Sequence, residues 1–362
     1  MRFSNVVFGL VISFLSGWVG VVGAQPTGAV DDHFTYRVEA GDTLGELSER
    51  YTLNWSNWQR LQSINQISED TQLPIARELR IPFSMIPEVA TLATVSSLRG
   101  SAVSNGTTLR EGATLTEGQI LETDEASFVT LTLSDGTLLT IPPQSKLEFT
   151  RLRSFEKEDL IDAIITITEG SLEAVVAPEG QGVGRFEIRG PASVTGVRGT
   201  RLRAHTGQSG SRTELLTGVA QVNTQQSGLF RLQEAQGLVV DAGGSAVGPK
   251  ALLPAPQIGE PHRGPSGWEL AFEPLEGAVA YIVTVARQES GSFAVSQKRI
   301  AASPARFNAP GPGDWYVLVR AVDAQGLGGL EAAARFPGRL VLQTSDGSPV
   351  LTAAGDYVTL SD

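Results

Sequence analysis

Near the start of the chain the hydrophobic positions alternate, switch to helical spacing, and then alternate again. Tyr36 and Val38 alternate with Arg37 and Glu39, which predicts a short half-buried strand ending at Ala40-Gly41. Leu44, Leu47 and Tyr51 then fall on one helical face, and Thr43 with Glu46 has capping-box spacing at the start of that helix. A second helix is expected near Ser56, with Gln59 in the corresponding box position and with Trp58 and Leu61 pointing inward toward Ile64-Asn65. Alternation returns at Leu79-Arg80-Ile81 and stops at Pro82. The predicted order is strand, helix, helix, strand.

From about Leu92 to Val247 the chain alternates almost throughout. Val129, Leu131 and Leu133 point one way, Asp135-Gly136 offers a tight turn, and Leu139 and Ile141 return. Glycine turns recur at Thr116-Glu117-Gly118, Thr168-Glu169-Gly170 and Thr217-Gly218, too irregularly for a counted repeat, so a sandwich and a short β-roll both satisfy the pattern. Residues 246–262 are rich in Gly, Pro and Ala and read as a connector. Strands follow at Trp268 to Phe272, Tyr281 to Ala286 and Trp315 to Val322. In the tail, 338–362, Val341, Asp346-Gly347 and Val350 are spaced like a small hairpin. The fold class expected is multidomain and mainly β, with one small βααβ module at the front.

Ahead of these elements Arg2 precedes an apolar run from Val6 to Val22, and Val22-Gly23-Ala24 places small residues before Gln25. Residues 1–24 therefore read as a cleavable signal peptide and imply a periplasmic protein. The other reading, a membrane anchor, needs a run of roughly 20 residues and fewer glycines than Gly9, Gly17 and Gly20. The chain has 0 Cys, which removes disulfides and cysteine metal sites. A net charge of −11 argues against nucleic acid as a partner.

Tyr36-x-Val38-x-x-Gly41-Asp42-Thr43-Leu44, then Asn65, then Leu79-x-Ile81-Pro82 resembles the LysM module over residues 34–83. That resemblance implies binding to glycans containing N-acetylglucosamine, peptidoglycan in bacteria, in a shallow groove between two loops. Carried over by position, the groove is expected to be lined by Gly41, Asp42, Thr43 and Leu44 on one side and by Leu73, Pro74 and Ile75 on the other. Each also has an ordinary structural role open to it: a turn at Gly41, a cap at Thr43, a core position at Leu44. Where the family pattern has glycine, three residues before Leu79, this chain has Ala76, which implies a differently shaped second loop and weaker binding.

Residues 131–137, the strand at Ile167 to Val176, and above all Pro191-Ala192-Ser193-Val194-Thr195-Gly196-Val197-Arg198-Gly199-Thr200 resemble the FecR domain over residues 96–245. FecR proteins are transmembrane regulators that pass a signal from an outer-membrane transporter to a sigma factor. No helical domain precedes the apolar leader here, and the C-terminal region does not look like the transporter-signalling subdomain, so the domain is implied more directly than the regulatory role. Phe272-x-Pro274, Gly277-Ala278-x-x-Tyr281 and Trp315-Tyr316 leading to Arg320-Ala321-Val322-Asp323 resemble a fibronectin type III-like sandwich over residues 263–337.

Catalytic chemistry is harder to find. His33, His205 and His262 are isolated in sequence and give no metal-ligand spacing. Glu156, Glu158 and Asp159 lie in a charged stretch that reads as a solvated connection, and Gly180-x-Gly182-x-Gly184 precedes a strand where a phosphate loop needs a helix. Arg198, Arg201 and Arg203 invite a reading as a site for an anionic polymer, but Arg201 and Arg203 share a strand face with Arg198 set apart by a bulge at Gly199, and a solvated or salt-bridged edge is the reading preferred. No cofactor or metal is expected. The sequence points to a non-enzymatic envelope protein bound to peptidoglycan and presenting its β domains to an envelope protein partner. A periplasmic sensor acting through the FecR-like region is the alternative, and a wall enzyme targeted by LysM is a third reading.

Overall fold

A computed structural model describes residues 26–30, 33–68, 73–156, 161–176, 184–264, 267–308, 310–338, 342, 344–345, 348–352 and 358. The expected signal peptide, Glu158, Asp159, Gly180, Gly182 and the hairpin residues Val341, Asp346 and Gly347 lie outside them. Among the described residues no helix is long and apolar enough to cross a membrane.

The N-terminal module has the expected strand, helix, helix, strand order, with one strand more. His33–Arg37 pairs antiparallel with Glu78–Pro82, matching Phe34 with Ile81 and Tyr36 with Leu79, and Pro26–Val30 adds a leading strand to the other edge. Helix α1 spans Leu44–Thr52 and helix α2 spans Trp58–Asn65. Their apolar faces close on the sheet through Leu44, Leu47, Tyr51 and Leu61, and the Tyr51 ring lies 5.0 Å from Phe34 and 5.4 Å from Tyr36. The expected helix start at Ser56 is replaced by a 3-10 turn, Trp55–Asn57. Asn54 takes the Ser56 amide at 3.0 Å, so the cap acts before the regular helix begins and Gln59 is not its box partner.

Among the described residues, the central region from Glu88 to Ala251 is one 16-stranded sheet around one continuous apolar core. Its most regular hairpin is the expected one, with Val129 opposite Ile141 and Leu131 opposite Leu139. The turn is closed by Asp135, which accepts from the Thr137 amide at 3.0 Å and from its hydroxyl at 2.8 Å. Three 15-residue strands, Ile161–Val175, Ser193–Gly207 and Gly210–Thr224, form the body. The register between the last two shifts between Arg198 and Arg201, the bulge expected at Gly199. A short strand, Arg185–Arg189, runs parallel to the first, which sets Arg185 opposite Asp162.

The third unit is built from a three-stranded and a four-stranded sheet that share one core. Trp268, Leu270 and Phe272 face Tyr281, Val283, Val317, Val319 and Phe336 across it. The connector before this unit is fastened along its length. Lys250–Ala251 pairs with Gln236 and Gly237, Leu252 packs with Leu216 and Leu327, Leu253 accepts from the Leu330 amide at 2.8 Å, and Ile258 bridges Phe272.

Charge and aromatic packing join the three units. At the first junction Phe83 stacks on Phe155 at 5.3 Å, and Phe155 belongs to the N-terminal core. Beneath it the buried Asp162 accepts both arms of Arg185 at 2.6 Å and also pairs with Arg151, which reaches Glu88. At the second junction Glu331 pairs with Arg201, with Arg203 at 3.0 Å and with Arg320 at 2.7 Å. Arg203 also donates to Glu214 at 2.5 Å and to the carbonyls of Gly328 and Gly329, while Arg320 reaches Glu173 at 3.2 Å. Three guanidiniums thus meet three carboxylates.

Burial pushes the Glu331 carboxyl up from its ordinary 4.5, but Arg203, Arg320 and Arg201 outweigh burial and hold it at about 2. A carboxyl depressed in this way stabilises the fold above its unfolded value, and that contribution drains as pH falls toward the folded one. Urea unfolding of the full chain should therefore lose this share between pH 4.5 and about 2. Glu331→Gln should flatten that acid limb, and Glu331→Ala, which leaves buried guanidiniums short of a carboxylate, should cost about 3–5 kcal/mol at neutral pH. An acid limb indifferent to the Gln variant would show that the cluster does not secure this junction.

Candidate functional site

Two loops of the N-terminal module are held side by side by backbone. The Val38 amide donates to the Arg77 carbonyl at 2.9 Å and the Ala76 amide donates to the Val38 carbonyl at 2.8 Å. The loop entering α1 therefore runs against the loop leaving α2, as a two-sided groove requires. Gly41 turns the first loop at φ +98°, with open space where a Cβ would stand, so the dihedral alone calls for glycine. Asp42 stiffens it from within, accepting from the Tyr36 hydroxyl at 2.8 Å and from the Glu39 amide at 2.7 Å. Burial and then the bond to Asp42 hold the Tyr36 phenol well above its ordinary value, so it remains a donor.

Thr43 caps α1 as expected, accepting from the Glu46 amide at 3.2 Å. The Glu46 carboxylate completes the pair by accepting from the Thr43 hydroxyl at 2.9 Å, where the box pattern anticipates the cap amide. Leu44 is fully buried among Leu47 and Tyr51, and Leu73 is buried too, so both side chains belong to the core beneath the loops. Their apolar character is what anchors each loop. Pro74 is exposed, and Ile75 is 68% exposed on the second loop. A ligand is thus offered backbone at Gly41, half-buried polar groups at Asp42 and Thr43, and apolar surface at Pro74 and Ile75. That set suits an acetamido sugar.

Ala76 adopts φ +65°, the left-handed backbone that glycine takes without strain, so alanine holds it at an energetic cost. Asn65 is a structural tie, because its side-chain amide donates to the Leu61 and Arg80 carbonyls, each at 2.9 Å, and accepts from the Arg80 amide at 2.7 Å. It joins the end of α2 to the last strand.

A second concavity, about 480 Å³, opens on the central sheet between Glu122, Lys146, Glu169, Ser171, His205 and Thr206. Pairing across strands, which isolated His205 in the sequence could not disclose, brings its Nδ1 to 2.9 Å from the Ser171 hydroxyl. Burial, followed by Arg212, pushes the imidazole down to about 4, leaving it neutral at ordinary pH. Lys146 is drawn to Glu122 at 2.9 Å, so this shallow cleft satisfies much of its own polarity. Among the described residues no group of three or more His, Cys, Asp and Glu is arranged to hold a metal.

Residues 36–82 match the LysM domain model, and residues 119–243 match the FecR protein model. The LysM match covers both loops, α1, α2 and the closing strand. The FecR match begins inside the central sheet, whose strands from Ala93 to Thr123 share its core, as Val95, Ala102 and Leu121 show. No curated protein matches the chain. Two crystal structures of a "putative anti-sigma factor from Parabacteroides distasonis ATCC 8503", at 2.50 and 1.65 Å resolution, are each similar at 18% identity and a TM-score of 0.30. Each similarity covers 36% of this chain and 59% of that one.

In the LysM module, Ala76→Gly should relieve the left-handed strain and raise stability by about 0.5–1 kcal/mol, whereas Gly41→Ala should lower it by about 1–2 kcal/mol. Hydrogen exchange of module amides in the full chain reads both. Equal protection in wild type and Ala76→Gly would mean that the loop relaxes out of the left-handed backbone.

Proposed function

We propose that this is a non-enzymatic envelope protein, exported to the periplasm by cleavage after Ala24, that holds peptidoglycan through its LysM module and presents its β units to a protein partner. The observation carrying the glycan part is the joined pair of loops inside the LysM match, with Ile75 exposed above a buried Leu73 floor. N-acetylglucosamine offers an amide for backbone partners and a methyl for an apolar contact, and the two loops supply one kind each. The net charge of −11 adds no electrostatic pull toward an anionic wall, so recognition rests on hydrogen bonds and apolar contact.

The remaining units fit presentation. The third, read as fibronectin type III-like, is joined to the FecR region through the largely buried pairs Arg203–Glu331 and Arg320–Glu173, so the two offer one fixed composite surface. The FecR match favours a second reading in which that surface belongs to a sensor or regulatory component. Cross-linking in intact cells separates the two: capture of a membrane-embedded regulator supports the sensor, and capture of wall or envelope scaffold proteins supports presentation. Release of soluble muropeptides from purified walls would instead establish a wall enzyme.

The full processed chain should cosediment with purified peptidoglycan, and raising salt should leave the bound fraction largely unchanged. Ile75→Asp alters an exposed position, so folding should persist while binding falls about tenfold, roughly 1.4 kcal/mol. A folded wild-type protein that stays in the supernatant with both peptidoglycan and chitin oligomers would overturn the anchoring function.

A further inference from the structure

Trp55 is a large aromatic that the fold leaves at the surface. Helix α1 stops at Leu53, which takes φ +49°, and Asn54 then caps the 3-10 turn that Trp55 opens. This reversal returns the chain over the first turn of α1, where the indole lies against Gly45. A Cβ at residue 45 would stand 2.3 Å from Cζ2, 2.5 Å from Cη2 and 2.8 Å from Cε2 of that ring. Only a residue without a side chain lets the indole settle there. Trp55 nevertheless remains 54% exposed, while the nearby Trp58 packs against the module core. The ring is therefore seated on the helix on one side and offered to solvent on the other.

Its seat matters because Gly45 directly follows the loop Gly41–Leu44, the first wall of the glycan groove. The surroundings disfavour an anionic ligand: Glu46 is exposed beside Gly45, and the exposed Glu49 stands one turn along the same side of α1. A carboxylate beside an open aromatic face suits a pyranose. The ring's axial C–H groups pack on the indole while equatorial hydroxyls donate to the carboxylate.

We infer that Trp55, seated on Gly45, is a stacking platform that lengthens the LysM groove by one pyranose ring of a GlcNAc-containing chain. The inference rests on the proposed glycan-binding reading and adds to it a subsite and a length requirement. Oligomers too short to span from the loops to the indole gain nothing from Trp55. Longer ones do.

The test uses the full processed chain and chitin oligomers of two to six sugars, with affinity from calorimetry and tryptophan emission recorded in parallel. In wild type, affinity should rise by about tenfold at the length that first reaches the indole, with a blue shift of emission. Trp55→Ala should retain the wild-type circular dichroism, bind the shortest oligomers unchanged, and lose both that rise and the blue shift. Gly45→Ala keeps the tryptophan and improves helix propensity, yet its Cβ must displace the ring, so it should reproduce the same loss in a module at least as stable. Wild-type binding matched at every length by both variants overturns the platform alone. A folded wild type that binds no oligomer overturns the glycan reading and the platform together.

Discussion

Glu331 keeps its carboxylate almost entirely out of water, and it is tolerable there only because three guanidiniums surround it. Removing a carboxylate from water costs several kcal/mol, and no single partner repays that. Arg201 and Arg203 come from one strand of the central sheet and Arg320 from the third unit, so the cost is met only when the two are docked. Arg203 extends the constraint by donating to the Gly328 and Gly329 carbonyls, which fixes the backbone where the last strand begins. Lys250 adds a partly exposed pair to Asp323 from the connector side. The interface is specified by geometry, because a displacement that breaks one pair strands several charges at once.

The sequence showed the elements well and their assembly poorly. Alternation placed the hairpin around Asp135-Gly136 to the residue, because strand period and turn chemistry are local properties. The capping pair at Thr43 and Glu46 was legible for the same reason. Arg201 and Arg203 were recognisable as a paired strand face, but their partner lies about 130 residues away, and no local signal connects Arg203 to Glu331. The strand after Gly184 was legible, but the parallel pairing that sets its Arg185 beside Asp162 was not. Residues 246–262 looked like a spacer by composition, yet Leu252, Leu253 and Ile258 each find a partner, which composition cannot show.

At the site, the motif located both loops but could not tell wall from floor. Leu44 and Leu73 matched the family positions and proved to be anchors in the core, since an apolar residue at the edge of a motif can serve either side. Ala76 departs from the family pattern, and the sequence could not show that its backbone takes the left-handed conformation despite the added methyl group. No local pattern in the sequence marks Trp55, which lies between the two helices and outside the apolar face of each. Its significance comes from Gly45, ten positions earlier, and only folding brings the two together.

Phe155 belongs by chain order to the central sheet and by packing to the LysM core, where it stacks on Phe83 beside the Arg185 and Asp162 pair. A module joined in this way acts as a strut, with its paired loops tied to the large sheet through that stack. A force applied at those loops passes through an aromatic stack and a buried carboxylate into the central strands. The orientation of the LysM module is then also the orientation of the sheet and, through Glu331, of the third unit.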